Sequence, residues 1–290
     1  MAISAERVKR LEDKVIQIQK DICVTTSKIG YSHLGGGMSM TDMAVALYYD
    51  FLNFDPTNPE KPDRDRFILS KGHCSHCLYN IFVDLGMYTK EELWNEYNQV
   101  GGRFGMHPNC HYLKGIEAST GSLGHGLPLA VGFALAARMN HKNYRVIVMV
   151  GDGELDEGSN WEALMCATQY QLGNLYLIVD KNNFQIGGST DEIMTLNPLE
   201  KRLETFGWDT ITIKDGHNMT EILEALDSLS KPDSQVSRRP VAIISNTIKG
   251  KGLIGGLENT ADSHIGMMPT EEYLKDTMSN IEQIRMERRG

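Results

Sequence analysis

Residues 145–188 read RVIVMVGDGELDEGSNWEALMCATQYQLGNLYLIVDKNNFQIGG, and this stretch decides the fold. Arg145 to Val150 is a short apolar run rich in β-branched residues, the pattern of a buried strand. It ends in Gly151-Asp152-Gly153, and an acidic turn from Glu154 to Gly158 follows. Ser159 or Asn160 is placed to cap a helix running to about Leu172, which Gly173 stops. Leu175 to Val179 is a second apolar run, ending in Asp180-Lys181-Asn182-Asn183. Strand, helix and strand in this length form a βαβ unit, so the two strands are expected to be parallel neighbours.

That geometry carries chemistry. Asp152 and Asn182 each stand just past the carboxyl end of a strand, where ligands bind in open α/β sheets. A carboxylate, an amide oxygen and a loop carbonyl make a partial oxygen shell of the kind that holds Mg²⁺, with phosphate and water completing the octahedron. Gly153 lets a backbone N–H approach a phosphate closely. The unit therefore reads as a holder of a diphosphate through a divalent metal. The plainer alternative is a βαβ unit with polar turns.

Elsewhere the chain alternates strands and helices. Apolar residues at Val8, Leu11, Val15, Ile18, Ile22 and Ile29 mark a helix over residues 4–29. The next residues, Gly30 to Gly37, read as a glycine loop, with Thr41 or Ser39 capping a helix through Leu52. Strands are expected at 67–69, 208–213 and 240–246, and helices at 74–85, 89–97, 127–139, 199–206, 219–229 and from Thr270 to the end. Residues 183–197 read as loop. The expected fold is α/β: a doubly wound, mostly parallel sheet with helices on both faces, in a single domain spanning 1–290.

Composition narrows the function. A net charge of −9 argues against nucleic acid or an acidic membrane as partner. No apolar run reaches the roughly 18 residues of a membrane span, and the charged N-terminus lacks the apolar core of a secretory signal, so a cytoplasmic location is expected. Five cysteines, an odd number, fit reduced thiols better than a disulfide framework. His73-Cys74-Ser75-His76-Cys77, with His107, Cys110 and His111, offers one CxxC beside histidines. Zinc would use such ligands, but a closed structural site needs a paired arrangement, and packing in a helix is the simpler reading.

The GDG…NN stretch resembles the thiamine-diphosphate signature of thiamine enzymes, and GDGELDEGSNWEA resembles the form it takes in transketolases. The resemblance covers nearly the whole chain and implies a thiamine-diphosphate-binding fold of the diphosphate-binding type. LSKGH resembles the family's LS-x-GH and implies that His73 contacts the diphosphate. TGSLG resembles TGPLG and implies Gly121, Ser122 and Leu123 against the cofactor rings. Asp152 and Asn182, with the carbonyl of Phe184, match the metal ligands; Gly153, Glu154 and Ile186 match cofactor contacts. Glu157 matches a carboxylate near the interface between subunits. His33, His107 and His264 match histidines that, with His73, line the reacting carbons as catalytic groups, His264 also touching the cofactor. The family's SGHPG appears here as YSHLG, with Ser32 and Leu34 in place of glycine and proline, so the sugar is left open.

The implied cofactors are thiamine diphosphate and Mg²⁺, for which Ca²⁺ or Mn²⁺ can substitute. The implied activity moves a two-carbon ketol unit from a ketose to an aldose. Full-length members carry a pyrimidine-binding domain beyond the equivalent of this chain, so the resemblance implies the N-terminal subunit of a split transketolase. Its partner would be a C-terminal subunit, in an α2β2 assembly. The alternatives are a split transketolase specialised for a sulfonated or branched sugar, a deoxyxylulose-phosphate synthase half, the α chain of a 2-oxoacid dehydrogenase, and a non-catalytic scaffold that binds a Mg-diphosphate.

Overall fold

The computed structural model describes residues 3–229 and 239–288. Five strands form one sheet: β1 (Arg66–Leu69), β2 (Val146–Gly151), β3 (Leu175–Lys181), β4 (Asp209–Ile213) and β5 (Val241–Asn246). Their order is β1-β2-β3-β5-β4, and every pair is parallel. The central βαβ unit is as expected: β2 and β3 are neighbours, with Met149 beside Ile178 and Gly151 beside Asp180. After β3 the chain passes to the far edge as β4 and returns as β5, so the winding reverses there.

The sheet is covered on both faces because its strands alternate two apolar sets. Ile147, Met149, Ile178 and Ile243 join one core with α1 (Ala5–Ile29), α2 (Leu34–Ala46), α3 (Ser75–Asp84) and a later helix, Met219–Leu229. Val146, Val148, Val150, Leu177, Val179 and Ile244 join the other, under helices Gly126–Met139 and Gly158–Gln169. Helix α4 (Lys90–Glu96) starts as expected at Thr89, in a capping box with Glu92. Counting on in chain order, Gly126–Met139 is α5, Gly158–Gln169 α6, Thr190–Ile193 α7, Leu199–Thr205 α8, Met219–Leu229 α9 and Glu271–Glu287 α10. The last two positions of the helix expected from Thr270 to the end lie outside the described residues.

The structure corrects three local expectations. Gly35, Gly36 and Gly37 are not loop; they form the first turn of α2. A Cβ on Gly37 would lie 2.2 Å from His76 Nε2, and one on Gly35 2.4 Å from Ser263 Oγ. Close packing, not turn conformation, demands these glycines. Ser39 and Thr41 therefore sit inside the helix, which widens into a π turn at Leu47–Phe51. Helix α6 begins after Glu157, preceded by a 3₁₀ turn at Gly153–Asp156, because Asn160 bonds the Glu154 carbonyl and Ser159 that of Gly124. Finally, residues 183–197 include the short helix α7.

A buried polar cluster ties α10 to the sheet. Arg285 donates to both oxygens of Asp42 at 2.5 and 2.7 Å. His217 Nδ1 lies 2.9 Å from Asp42 Oδ2, and its Nε2 accepts the Ile248 N–H at 2.9 Å. Among the described residues no helix is long and apolar enough to cross a membrane.

Candidate active site

The carboxyl ends of β1, β2, β3 and β5 open into one pocket of about 210 Å³. Its walls include Gly36, Lys71, His73, Gly121, Leu123, Asp152, Gly153, Asn182, Phe184 and Ile186. Gln185, Lys249 and His264 complete the lining. A larger hollow of about 870 Å³ lies between α1 and the Asp215–Thr220 segment, but only His217 among the histidines borders it. The expected chemistry is concentrated in the smaller pocket.

The floor is set by the ends of β2 and β3. Asp152 is buried, and its Oδ2 accepts the Asn183 N–H at 2.8 Å. Burial and the nearby Asp180 push its carboxyl up to about 6. A carboxylate so placed favours a counter-cation. Asn182 is buried beside it; its amide donates to Asp180 Oδ2 at 3.3 Å and its Oδ1 accepts the Phe184 N–H at 3.1 Å. One carboxylate, one amide oxygen and a local carbonyl suit a hard divalent cation that keeps phosphate and water ligands. Gly153 stands next to Asp152, and the Gln185 side chain lies across it: a Cβ there would be 2.5 Å from Gln185 Cγ. The donor set thus fits Mg²⁺ with a diphosphate. Among the described residues no group of three or more His, Cys, Asp or Glu is arranged to hold a metal. Cys74, Cys77 and His76 are buried packing residues, consistent with the simpler reading of that cluster.

Two lysines supply the positive charge that a diphosphate requires. Lys71 is buried, ion-paired with Asp180, and donates to the Gly36 carbonyl at 3.1 Å. Ser39 and Thr247 complete the shell of Asp180 at 2.6 and 2.5 Å. Lys249 donates to the Gln185 carbonyl at 3.2 Å, and burial and the Lys71 charge bring it down to about 8. Neither lysine is among the residues singled out from sequence. The available signals were their places inside LSKGH and in the glycine-rich loop TIKGKG.

The four histidines meet as expected. The ring centroids of His33 and His73 are 5.2 Å apart, those of His33 and His264 5.3 Å, those of His73 and His264 5.3 Å, and those of His33 and His107 6.1 Å. Burial and the neighbouring positive groups hold His33 and His264 down at about 4, and His73 well below its ordinary value. These rings are neutral near pH 7, able to donate through one nitrogen and accept through the other. His73 and His264 line the pocket itself, while His107 is exposed at its margin, next to Gly121.

The remaining residues divide. Gly121, Leu123 and Ile186 line the pocket; Ser122 is exposed outside it. Glu154 borders the pocket, but its carboxylate is occupied: it accepts Gly124 N–H at 3.0 Å, Gly151 N–H at 3.2 Å and the Ser70 hydroxyl. It ties three loops together and positions the cofactor-binding turn. Glu157 is exposed at the start of α6, away from the lining residues.

Comparison with known proteins agrees with this geometry. A family profile described as "Transketolase, thiamine diphosphate binding domain" matches residues 13–279. One of the two subunits of the apulose-4-phosphate transketolase of Phocaeicola vulgatus is 35% identical over 287 residues, covering 98% of this chain and 99% of that protein. The 6-deoxy-6-sulfo-D-fructose transketolase subunit SqwG of Clostridium sp. is 38% identical over 273 residues, covering 94% and 96%. The crystal structure of Campylobacter jejuni transketolase superposes with a TM-score of 0.86 at 30% identity, over 95% of this chain but only 43% of that one.

Proposed function

The chain belongs to the transketolase family, in its thiamine-diphosphate-binding part, and from that premise we propose that it is one half of a two-chain transketolase that moves a two-carbon ketol unit between sugars. The observation that carries this reading is the meeting of Asp152, Gly153, Asn182, Lys249, His73 and His264 in one pocket. Two relatives of nearly the same length are named as transketolase subunits, which supports a separate partner. The partner would supply the pyrimidine-binding domain, and two such pairs would assemble as α2β2 about a two-fold axis.

Thiamine diphosphate, when bound, supplies the carbon nucleophile and the electron sink for carbon–carbon cleavage. This chain's residues bind and orient. Asp152, Asn182 and the Phe184 carbonyl would hold Mg²⁺. Gly153 N–H, Lys249 and His73 would face the diphosphate. Gly121, Leu123 and Ile186 would shape the walls against the rings.

The histidines act on the sugar. Lys249 Nζ donates to His264 Nδ1, so the neutral His264 ring keeps its proton on Nε2, as a donor to a substrate oxygen. His33 and His107 border the same space and would hold or move protons at the sugar hydroxyls and carbonyl. Location in the cytoplasm accords with free access to sugar phosphates.

The test is an assay of this chain with its co-expressed partner, supplied with Mg²⁺ and thiamine diphosphate. Ketose phosphates and sulfonated ketoses serve as donors and an aldose phosphate as acceptor. Two-carbon transfer supports the reading. Decarboxylation of pyruvate without ketol transfer would instead place the chain with synthases of the deoxyxylulose-phosphate type.

A further inference from the structure

Ser32 and Leu34, the residues that depart from the family pattern, do not face the histidines. Both are fully buried. Ser32 exchanges both backbone hydrogen bonds with Gly266, at 3.1 and 2.9 Å, and its hydroxyl lies 2.8 Å from that of Thr26. Leu34 packs over Gly266, where a Cβ would be 2.8 Å from Leu34 Cδ2. These two residues seat the loop on the core.

The other side of this small ladder is the informative one. Ser32 and Gly266 form an antiparallel bridge. Neighbours on either side of such a pair point to the opposite face. With Ser32 turned inward, Tyr31, His33, Ile265 and Met267 share the outward face. Exposure follows the alternation: Tyr31 is 41% exposed, Ile265 51% and Met267 60%, while Gly266 and Met268 are buried. His33, in the same row, is the ring that meets His73, His107 and His264. Ile265 directly follows His264 in the chain. The Tyr31 hydroxyl accepts a hydrogen bond from Asn98 Nδ2 at 3.2 Å, which ties the phenol to the segment after α4.

We propose that Tyr31 and Ile265 are specificity-determining residues, forming an aromatic and aliphatic wall against which the non-reacting carbons of the sugar lie. This rests on the ketol-transfer reading and deepens it. The row carries no cation, so it selects by shape and by contact with C–H groups, not by gripping an anionic end group. An aromatic face next to an aliphatic side chain suits that task. A pocket wall of this kind discriminates substrates differing by one carbon by about tenfold or more.

The experiment uses the assembled complex of this chain with its partner, carrying Tyr31→Ala or Ile265→Ala. Acceptor aldoses of graded chain length are compared by kcat/KM, alongside affinity for thiamine diphosphate and affinity for the partner. The expected result is a shift of about tenfold in the ratio between short and long acceptors, with both affinities unchanged. An unchanged ratio in both variants overturns the proposal. A loss of affinity for the partner also overturns it, because it assigns the row to the interface between the two chains. If the unsubstituted complex transfers no ketol unit at all, the functional reading itself falls, and that outcome is visible before any substitution is made.

Discussion

Lys249 Nζ lies 3.2 Å from Nδ1 of His264, so an ammonium and an imidazole from the two ends of one loop segment share a hydrogen bond at the pocket wall. The contact fixes the imidazole tautomer and couples the group suited to a diphosphate to the group suited to the sugar. Behind it, the Ile248 N–H donates to His217, which Asp42 and Arg285 hold from α2 and α10. The lysine thus rests on a rigid buried base.

Replacing this lysine tests its share in cofactor binding. Lys249→Met removes a charge-assisted hydrogen bond, an interaction of about 1.5–3 kcal/mol. Titration of thiamine diphosphate with Mg²⁺ into the assembled complex is expected to show affinity weakened at least about tenfold. Unchanged affinity would remove Lys249 from the diphosphate site.

The Lys71–Asp180 pair lies wholly inside the protein. Lys71→Met leaves Asp180 charged and buried without its cation, which costs about 3–5 kcal/mol. Urea denaturation should show that loss. The double variant Lys71→Met with Asp180→Leu is expected to recover much of it, since neither charge then remains to be desolvated. A single variant as stable as the unsubstituted chain would contradict the assignment.

Stability should fall in mild acid. His33, His264 and His76 are held at about 4, about 4 and about 3 in the fold, against about 6.5 in an unfolded chain. The unfolded chain therefore binds more protons between these values. Their contribution is complete above about pH 6.5 and is lost as pH drops toward 4. Asp152 and Glu117, raised to about 6 and about 7, act in the opposite direction and offset part of it. His76 is fully buried, so its share approaches about 1.4 kcal/mol per pH unit. Urea midpoints measured from pH 7 to pH 5 are expected to decline, and His76→Leu to flatten the decline. An equal slope in both proteins would rule out His76 as a source.

Much of the architecture is legible in the sequence because its signals are local. The apolar runs ending in Asp152 and Asn182 define two strands by period and by turn residues, and their parallel pairing follows from the helix between them. The four histidines are legible through their motifs, although only the fold brings their rings within about 5–6 Å. The glycine triplet misleads for a physical reason. Glycine has a strong local preference for loops, whereas here tight packing of His76, Cys74 and Ser263 against α2 requires it. Lys71 and Lys249 escape notice because lysine is mostly a surface residue, and only Asp180, Gln185 and His264, distant in sequence, show why these two are buried. Glu154 looks like a ligand and proves to be a brace, since its partners Gly124, Gly151 and Ser70 are visible only in three dimensions.

The central claim is that Asp152 anchors a metal-bound diphosphate in this pocket. Calorimetric titration of thiamine diphosphate with Mg²⁺ tests it most directly, using the complex of this chain with its partner, unsubstituted and as Asp152→Ala. The account predicts saturable, Mg²⁺-dependent binding by the unsubstituted complex and none by the variant, with the variant still folded and still assembled. Equal binding by both proteins would contradict it.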